Sequence, residues 1–400
     1  MDSLTQIVLG AAVGEAVLGR KAGNRAMLWG GICGTLPDLD VFANAVSDPM
    51  SALAYHRAFT HSLPFALLAA PLVGLALHRF YGGREGPVKG WLVWPVLLTV
   101  FYLLLTGGSY LMPIEVYNIP KITLAITAAF AAFFVVIGGL RWLRGFPAKV
   151  ENAGWRGWTM LAFGAIVTHP LLDCFTAYGT QLFQPLADSR VAWNTISVAD
   201  PIYTIPFLIL LVWARTRVQG SEWRARLNKA GLILSSVYLA LTVVNYFNVD
   251  SVMDATLEEE GIVAERTVVS PSILNNVLWS GTAKDAQKDL YYFSQYSLFD
   301  AERRFQPFTE IAGNHHWLGK VDVVLWAGDP VSVVAFNSSA EPCVAWLVGR
   351  VDCMNPKPLC GRTELRKARA ASETTPLPSA QPPARSCSPL RRGSAGPPAR

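Results

Sequence analysis

Charge is scarce in this chain. Asp, Glu, Lys and Arg make up 16% of its 400 residues while 52% are hydrophobic, a balance that excludes an ordinary soluble domain. The six cysteines form no CxxC and no Cys/His zinc pattern, which removes a cysteine-built metal site. Cys33 and Cys174 lie in or beside apolar segments and read as small buried hydrophobes. Cys343 and Cys353 are a candidate pair only if their region lies outside the cytoplasm. The start, Met1-Asp2-Ser3-Leu4, lacks the basic n-region of a cleaved signal peptide, so residues 4–19 read as a retained first span. No internal repeat is visible among the apolar runs, which disfavours transporter folds built from inverted repeats. A net charge of +5 would ordinarily raise the question of nucleic acid. Here the basic residues sit in short loops between apolar runs, so they read as topology signals and no nucleic-acid partner is expected.

What is present is apolar length. Runs occur at 4–19, 26–46, 61–80, 91–108, 121–141, 157–175, 200–214 and 230–249. A helix needs about 20 residues to cross a bilayer, so the expectation is a membrane all-α domain of about eight transmembrane helices in residues 1–249. Thirteen Trp, nineteen Phe and twelve Tyr suit aromatic belts at the lipid–water boundaries. Basic residues follow the odd-numbered runs: Arg20, Lys21 and Arg25; Arg79, Arg84 and Lys89; Arg141, Arg144, Lys149 and Arg156; Arg215, Arg217, Arg224, Arg226 and Lys229. The intervening stretches 47–55, 109–118 and 176–199 contain only Arg190. The positive-inside rule then places the N-terminus and everything after residue 250 outside the cytoplasm.

Residues 250–358 change texture. Short β-rich runs such as Val321-Asp322-Val323-Val324-Leu325-Trp326 alternate with turn residues, which predicts a small, mainly β extracytoplasmic domain. From 359 to 400 the chain turns to Arg, Ala, Ser and Pro, a composition that buries no core and reads as a disordered tail.

Three polar clusters interrupt the apolar pattern: Pro37-Asp38-Leu39-Asp40, His56-Arg57-Ala58-Phe59-Thr60-His61-Ser62 and His169-Pro170-Leu171-Leu172-Asp173. Ionisable groups at membrane depth are expensive and mark function by default. In the topology above all of them fall at one face of the membrane, which favours one shared site. His169 and Asp173, four apart, share a helix face, with a kink expected at Pro170. Asp38 and Asp40 can face one cavity if the segment after Pro37 is extended or turning, and His56 and His61 can converge if His56 precedes the helix. Imidazoles with carboxylates suit Zn²⁺, Mn²⁺ or Fe²⁺, and such a metal lowers the pKa of a bound water to give a nucleophile. Arg57 is placed to stabilise developing negative charge, and Arg57, Asp40 and Asp173 are the candidates for catalytic work. Thr60 and Ser62 either hydrogen-bond in the site or cap the following span. Asp2, Thr5 and Gln6 can approach from the first span. His78 reads as interfacial or hydrogen-bonded, Glu15 as structural and His315-His316 as a surface pair.

The opening Met1-Asp2-Ser3-Leu4-Thr5-Gln6-Ile7-Val8-Leu9-Gly10-Ala11-Ala12, with PDLD at 37–40, HRAFTHS at 56–62 and HPLLDCFTAYGTQLF at 169–183, resembles the YdjM-like membrane-bound metal-dependent hydrolases. The resemblance covers residues 1–250 and extends toward 350. It implies a multi-span bacterial inner-membrane protein with a hydrolytic metal site at Asp38, Asp40, His56, His61, His169 and Asp173. Gln6 stands where members often carry a histidine. The leading expectation is therefore a metal-dependent hydrolase, with Zn²⁺ favoured, at the outer face of the inner membrane. Its expected partners are the lipid bilayer and a lipid or other amphiphilic ester or phosphoester. The rival is a metal- or proton-coupled transporter using the same residues, which would more naturally place them near the midplane. A histidine-nucleophile phosphatase ranks last, because Ala162-Phe163-Gly164-Ala165-Ile166-Val167-Thr168 supplies no Ser-Arg pair ahead of His169.

Overall fold

The chain opens with a helical hairpin. Asp2 caps α1 (Ser3–Ala22), its carboxylate accepting from the backbone N–H groups of Leu4 and Thr5, and Gly23 at φ 59° turns the chain into α2 (Asn24–Gly34). The two helices touch backbone to backbone. A Cβ on Gly10 would stand 2.4 Å from the Gly30 carbonyl oxygen, and one on Gly30 would stand 2.3 Å from the Gly10 oxygen. Small residues four apart permit this approach and let dispersion contacts replace the hydrophobic effect that lipid cannot supply. The computed structural model describes residues 1–82, 93–113, 116–143, 153–288 and 290–312, together with the backbone of four later strands.

The second apolar run is not one helix. α2 has 11 residues and so a length of about 16 Å, roughly half the hydrocarbon thickness. After Gly34 the chain passes into a 3₁₀ turn, Pro37–Phe42, and the short helices α3 (Ala43–Val46) and α4 (Pro49–Tyr55). Pro37 has no N–H to continue an α-helical ladder, and the break sets Asp38 and Asp40 at the end of the hairpin. A second 3₁₀ turn, Phe59–His61, precedes α5 (Leu63–Phe80), whose N-cap Ser62 accepts from Phe65 N at 3.1 Å. There follow α6 (Val93–Tyr110), α7 (Ile119–Leu143), α8 (Trp155–Asp173, with Pro170 inside it), α9 (Pro201–Thr216) and α10 (Glu222–Glu259).

Four of the described helices are long and apolar enough to cross a membrane: Leu63–Phe80, Val93–Tyr110, Ile119–Leu140 within α7, and Glu222–Glu259. α9 is apolar but shorter. Helix length and composition thus support four spans where the apolar runs numbered eight.

Aromatic packing joins the hairpin to the neighbouring helices. Trp29 stacks on Phe134 with ring centroids 5.0 Å apart and donates to the Tyr81 hydroxyl at 2.8 Å, while Tyr81 lies flat on Trp158. Glu15 in α1 accepts two 2.6 Å hydrogen bonds from the Arg224 guanidinium in α10. A bidentate pair of this kind satisfies two otherwise costly buried charges. His78 is buried rather than interfacial, near the C-terminal end of α5.

α10 has 38 residues, about 57 Å at 1.5 Å per residue, nearly twice a bilayer's hydrocarbon thickness. It runs unbroken through residues 249 and 250. Val249, Val252, Met253 and Leu257 on its last turns pack against Val269, Trp279, Tyr292, Tyr296 and Phe305. Val269, Trp279, Tyr292 and Tyr296 belong to an antiparallel sheet of order β1 (Ala264–Pro271), β2 (Leu278–Asp285), β3 (Leu290–Ser297) and β4 (Thr309–Ala312), and Phe305 lies between β3 and β4. The Asp285 carboxylate closes the β2–β3 turn by accepting from the backbone of Gln287 and Lys288, and these bonds hold its pKa below the usual carboxylate range. A second antiparallel sheet orders β5 (His315–Leu318), β6 (Val321–Leu325), β7 (Val333–Asn337) and β8 (Glu341–Ala345). The side chains of His315, His316 and Cys343, the loop residues Arg84, Lys89, Arg144 and Lys149, and the 359–400 tail with Cys353, Cys360 and Cys387 lie outside the described residues.

Replacing Gly30 by Val puts a branched side chain where a carbonyl oxygen stands 2.3 Å from the Cβ position. The expected cost is about 1–3 kcal/mol or more, read as a lowered melting temperature in detergent. Ala26→Gly, at a neighbouring buried position without such a clash, should cost about 1 kcal/mol by helix propensity.

Candidate metal centre

The three polar segments arrive from different directions. Asp38 and Asp40 ride on the 3₁₀ turn after α2, His56 and Arg57 lie between α4 and the second 3₁₀ turn, His61 ends that turn, and His169 and Asp173 occupy the last turn of α8. Arg57 takes φ +57°, a left-handed conformation that is uncommon outside glycine. Its backbone N–H donates to Asp40 Oδ2 at 2.8 Å, which locks the turn between the two histidines onto the PDLD segment.

Asp38, His61 and His169 form a group whose ligand atoms all lie within 4.8 Å of one another. His61 Nε2 and His169 Nε2 face each other at 3.1 Å. Asp38 Oδ1 lies 3.6 and 3.3 Å from them, and Asp173 Oδ2 lies 3.5 and 3.4 Å from the same two atoms. The far side of each ring determines its tautomer. His169 Nδ1 is 2.5 Å from the Gly34 carbonyl oxygen, which can only accept, so Nδ1 carries the proton. His61 Nδ1 stands 3.3 Å from Asp40 Oδ2 and 3.2 Å from the Thr60 hydroxyl, and the negative carboxylate favours the tautomer that carries the proton on Nδ1. In the neutral imidazoles both Nε2 atoms therefore present lone pairs, toward each other and toward two carboxylates.

Acceptors this close repel unless a cation lies among them. Asp173 Oδ2 is buried and has no hydrogen-bond partner among the described residues, a costly condition for a carboxylate oxygen. Ligands at about 2.0–2.1 Å from a tetrahedral metal stand about 3.3 Å apart, close to the separations seen here. Two imidazoles and a carboxylate, with histidine Nδ1 protons held by a carbonyl and a second carboxylate, form a donor set that could hold a divalent metal.

The remaining residues surround this group. Asp40 sits behind His61, joined to its Nδ1, and its other oxygen is 3.0 Å from His56 Nδ1. His56 is the most open of the set, with 34% of its side chain exposed, against 22% for Asp38 and none for His61, His169 and Asp173. Its Nδ1 bonds Asp40, and its ring meets the His61 ring edge-on with centroids 6.1 Å apart. Arg57 Nε lies 3.3 Å from Asp173 Oδ2, and its Nη1 donates to Thr176 Oγ1 at 2.9 Å. Thr60 Oγ1 meets His61 Nδ1 at 3.2 Å, while Ser62 serves as the α5 cap. From α1, Gln6 Nε2 donates to Asp173 Oδ1 at 3.0 Å, and the Met1 amine donates to the same oxygen. Asp2 caps the helix and accepts from the Thr5 hydroxyl, which meets Thr204 rather than the centre.

Several contributors lie outside the clusters PDLD, HRAFTHS and HPLLD. The Gly34 carbonyl that orients His169 is a backbone atom. The segment between α8 and α9 folds over the HRAFTHS turn: Gln181 N donates to Arg57 O and Leu63 N to Leu182 O. This brings in Tyr178, whose ring lies under the guanidinium groups of both Arg57 and Arg190, 5.0 and 4.9 Å from its centroid. Arg190 in turn donates to the His56 carbonyl at 3.4 Å.

Apolar helices long enough to span a bilayer, with a buried His/Asp cluster at one end, define an integral membrane protein built around a polar centre. The family model of the YdjM inner membrane protein matches residues 1–249, and the chain belongs to that family. No curated protein and no solved structure matches it.

Arg57→Met removes a cation facing the buried Asp173 carboxylate. Breaking a buried pair by deleting one partner costs about 3–5 kcal/mol, so this variant should unfold at markedly lower temperature or denaturant in detergent than wild type.

Proposed function

We propose that this protein is a membrane-embedded metal-dependent hydrolase, with Zn²⁺ as the preferred ion, acting on an ester or phosphoester of a lipid-like substrate at the outer face of the inner membrane. The observation that carries the reading is the pair of lone-pair-bearing Nε2 atoms held 3.1 Å apart beside the Asp38 carboxylate. A divalent cation held there supplies a Lewis acid that acidifies a bound water at neutral pH. Asp38, His61, His169 and Asp173 are the ligands in this reading. Asp40 holds His61 in its tautomer and, through His56, reaches toward solvent as a route for a proton. Arg57 orients Asp173 and balances its charge.

The orientation follows from the distribution of cations. Gln6 at the start of α1 touches Asp173, whereas Arg20 and Lys21 close the same helix, about 21 Å away along the axis. Arg215, Arg217 and Arg224 lie at the same end as Arg20, joined through Gln219 and Glu15. With basic residues on the cytoplasmic side, the centre opens toward the outer leaflet. Confinement to one end of the helices favours an enzyme over a transporter.

Metal content of the detergent-purified protein tests this directly. About one equivalent of zinc, manganese or iron is expected in wild type, lost in His61→Ala, His169→Ala and Asp38→Ala. Asp40→Asn should keep the site but weaken it about 10–100-fold in a chelator competition. Wild-type protein that carries no metal and takes up none on titration would sink the reading.

Arg190 is the lone basic residue of the stretches 47–55, 109–118 and 176–199, and it stands beside half-buried His56 at the mouth. It is the cation we assign to an anionic substrate group. Arg190→Gln should raise KM for a chromogenic phosphodiester about tenfold, the value of a charged hydrogen bond, and leave a neutral ester substrate unaffected.

A further inference from the structure

A cavity lies at the opposite end of the bundle from the His/Asp centre, and its reading is independent of any metal chemistry. It is a groove of about 670 Å³ between the start of α2 and the ends of α7 and α9. From Gln6 at the polar centre to Asn24 in its wall is 18 residues of mostly helical chain, about 27 Å. Its walls are apolar, and Leu28, Leu140 and Val212 leave 46%, 47% and 50% of their surfaces open. Two guanidinium groups line it, Arg25 and Arg215, and no carboxylate does among the described residues.

The two arginines are held differently. Arg25 lies over the Tyr81 ring, 5.6 Å from its centroid, and Tyr81 is itself fixed by the Trp29 indole. Arg215 is exposed and makes no hydrogen bond or ion pair among the described residues. A pair of positive charges beside an apolar groove on a membrane-spanning bundle calls for an anion that carries hydrocarbon. Anionic headgroups at the cytoplasmic leaflet attract basic residues by about 1 kcal/mol each, and the aliphatic stems of arginine lie comfortably along apolar surface.

We propose that this groove binds one anionic phospholipid, its phosphate between Arg25 and Arg215 and an acyl chain along Leu28, Leu140 and Val212. The site is a lipid-binding site separate from the proposed catalytic centre, so lipid bound here is not turned over.

The test is native mass spectrometry of the full chain in detergent, titrated with dioleoyl phosphatidylglycerol or dioleoyl phosphatidylcholine, with a thermal-shift arm in inorganic phosphate. The expected result is one retained phosphatidylglycerol, bound at least tenfold more tightly than phosphatidylcholine, and no stabilisation by phosphate alone. Arg215→Gln, at an exposed position that does not threaten folding, should weaken phosphatidylglycerol at least fivefold. Arg25→Gln/Arg215→Gln should abolish the preference, whereas Arg217→Gln, stacked on Trp213 outside the groove, should behave as wild type. Equal retention of the two lipids, or wild-type binding by Arg215→Gln, overturns the proposal. Stabilisation by inorganic phosphate equal to that by phosphatidylglycerol would make this a free-anion site. A stable dimer that excludes lipid would make the groove an interface between copies, and either result overturns the lipid assignment. Loss of metal in His61→Ala with lipid binding intact would leave this inference standing, and the converse would leave the metal reading standing.

Discussion

Two imidazole Nε2 atoms are held 3.1 Å apart inside an apolar bundle, and much of the surrounding structure serves to hold them there. Each ring is fixed from behind, His169 by the Gly34 carbonyl and His61 by Asp40. Asp40 is itself pinned by the Arg57 backbone, which adopts a left-handed conformation to reach it. In a medium of low dielectric, these groups repel strongly unless each is partnered. Asp173 Oδ2 and the two Nε2 atoms meet at the inner side of this network, where the carboxylate oxygen has no hydrogen-bond partner among the described residues.

The glycine contact between α1 and α2 is what brings Gly34 close enough to act. A short helix packed backbone to backbone on α1 ends near the start of its partner, and its last carbonyls point into the bundle rather than to solvent. Carbonyls at a helix C-terminus lack intrahelical donors. Here one of them accepts from His169, a donor on another helix. The same geometry lets Gln6 of α1 reach Asp173 of α8, so the hairpin supplies one wall of the centre without contributing a charged side chain to it.

Much of this centre was legible in the sequence because charged residues are rare enough to stand out. PDLD, HRAFTHS and HPLLD interrupt apolar runs, and the alternation of basic loops already set them at one end of the bundle. Their distances could not be read, since they depend on how the intervening helices pack. The length of α2 was misread from hydropathy alone. Residues 26–46 are apolar enough to resemble a span, yet Pro37 ends the α-helical ladder and the glycines make packing, not lipid contact, the destination of this helix. The end of α10 was hidden for a related reason. Its residues after 249 turn polar on one side, as in Asp250, Asp254 and Glu258, while Val249, Val252, Met253 and Leu257 keep a helical stripe for the sheet. Tyr178 and Arg190 lie outside the three polar clusters, and only the fold of the 174–199 segment gives them a place at the centre.

The continuous α10 also bears on how the two ends of the molecule communicate. Its first turns hold the Glu15–Arg224 pair, its middle hydrogen-bonds through Thr242 to Thr195 in the segment over the centre, and its last turns form the core of the β sheet. Asn245 and Thr195 both bond Asn276, which lies between β1 and β2. A rigid helix that touches all three regions, with side-chain amides tying the sheet to the cover of the centre, gives the sheet a direct mechanical link to the segment that carries Tyr178 and Arg190. A displacement of the sheet that kept these bonds would have to carry the cover with it, whereas one that broke them would leave buried amides unsatisfied at a cost of about 1–3 kcal/mol each. The sheet is thus hydrogen-bonded through Asn276 to the segment that covers the polar centre.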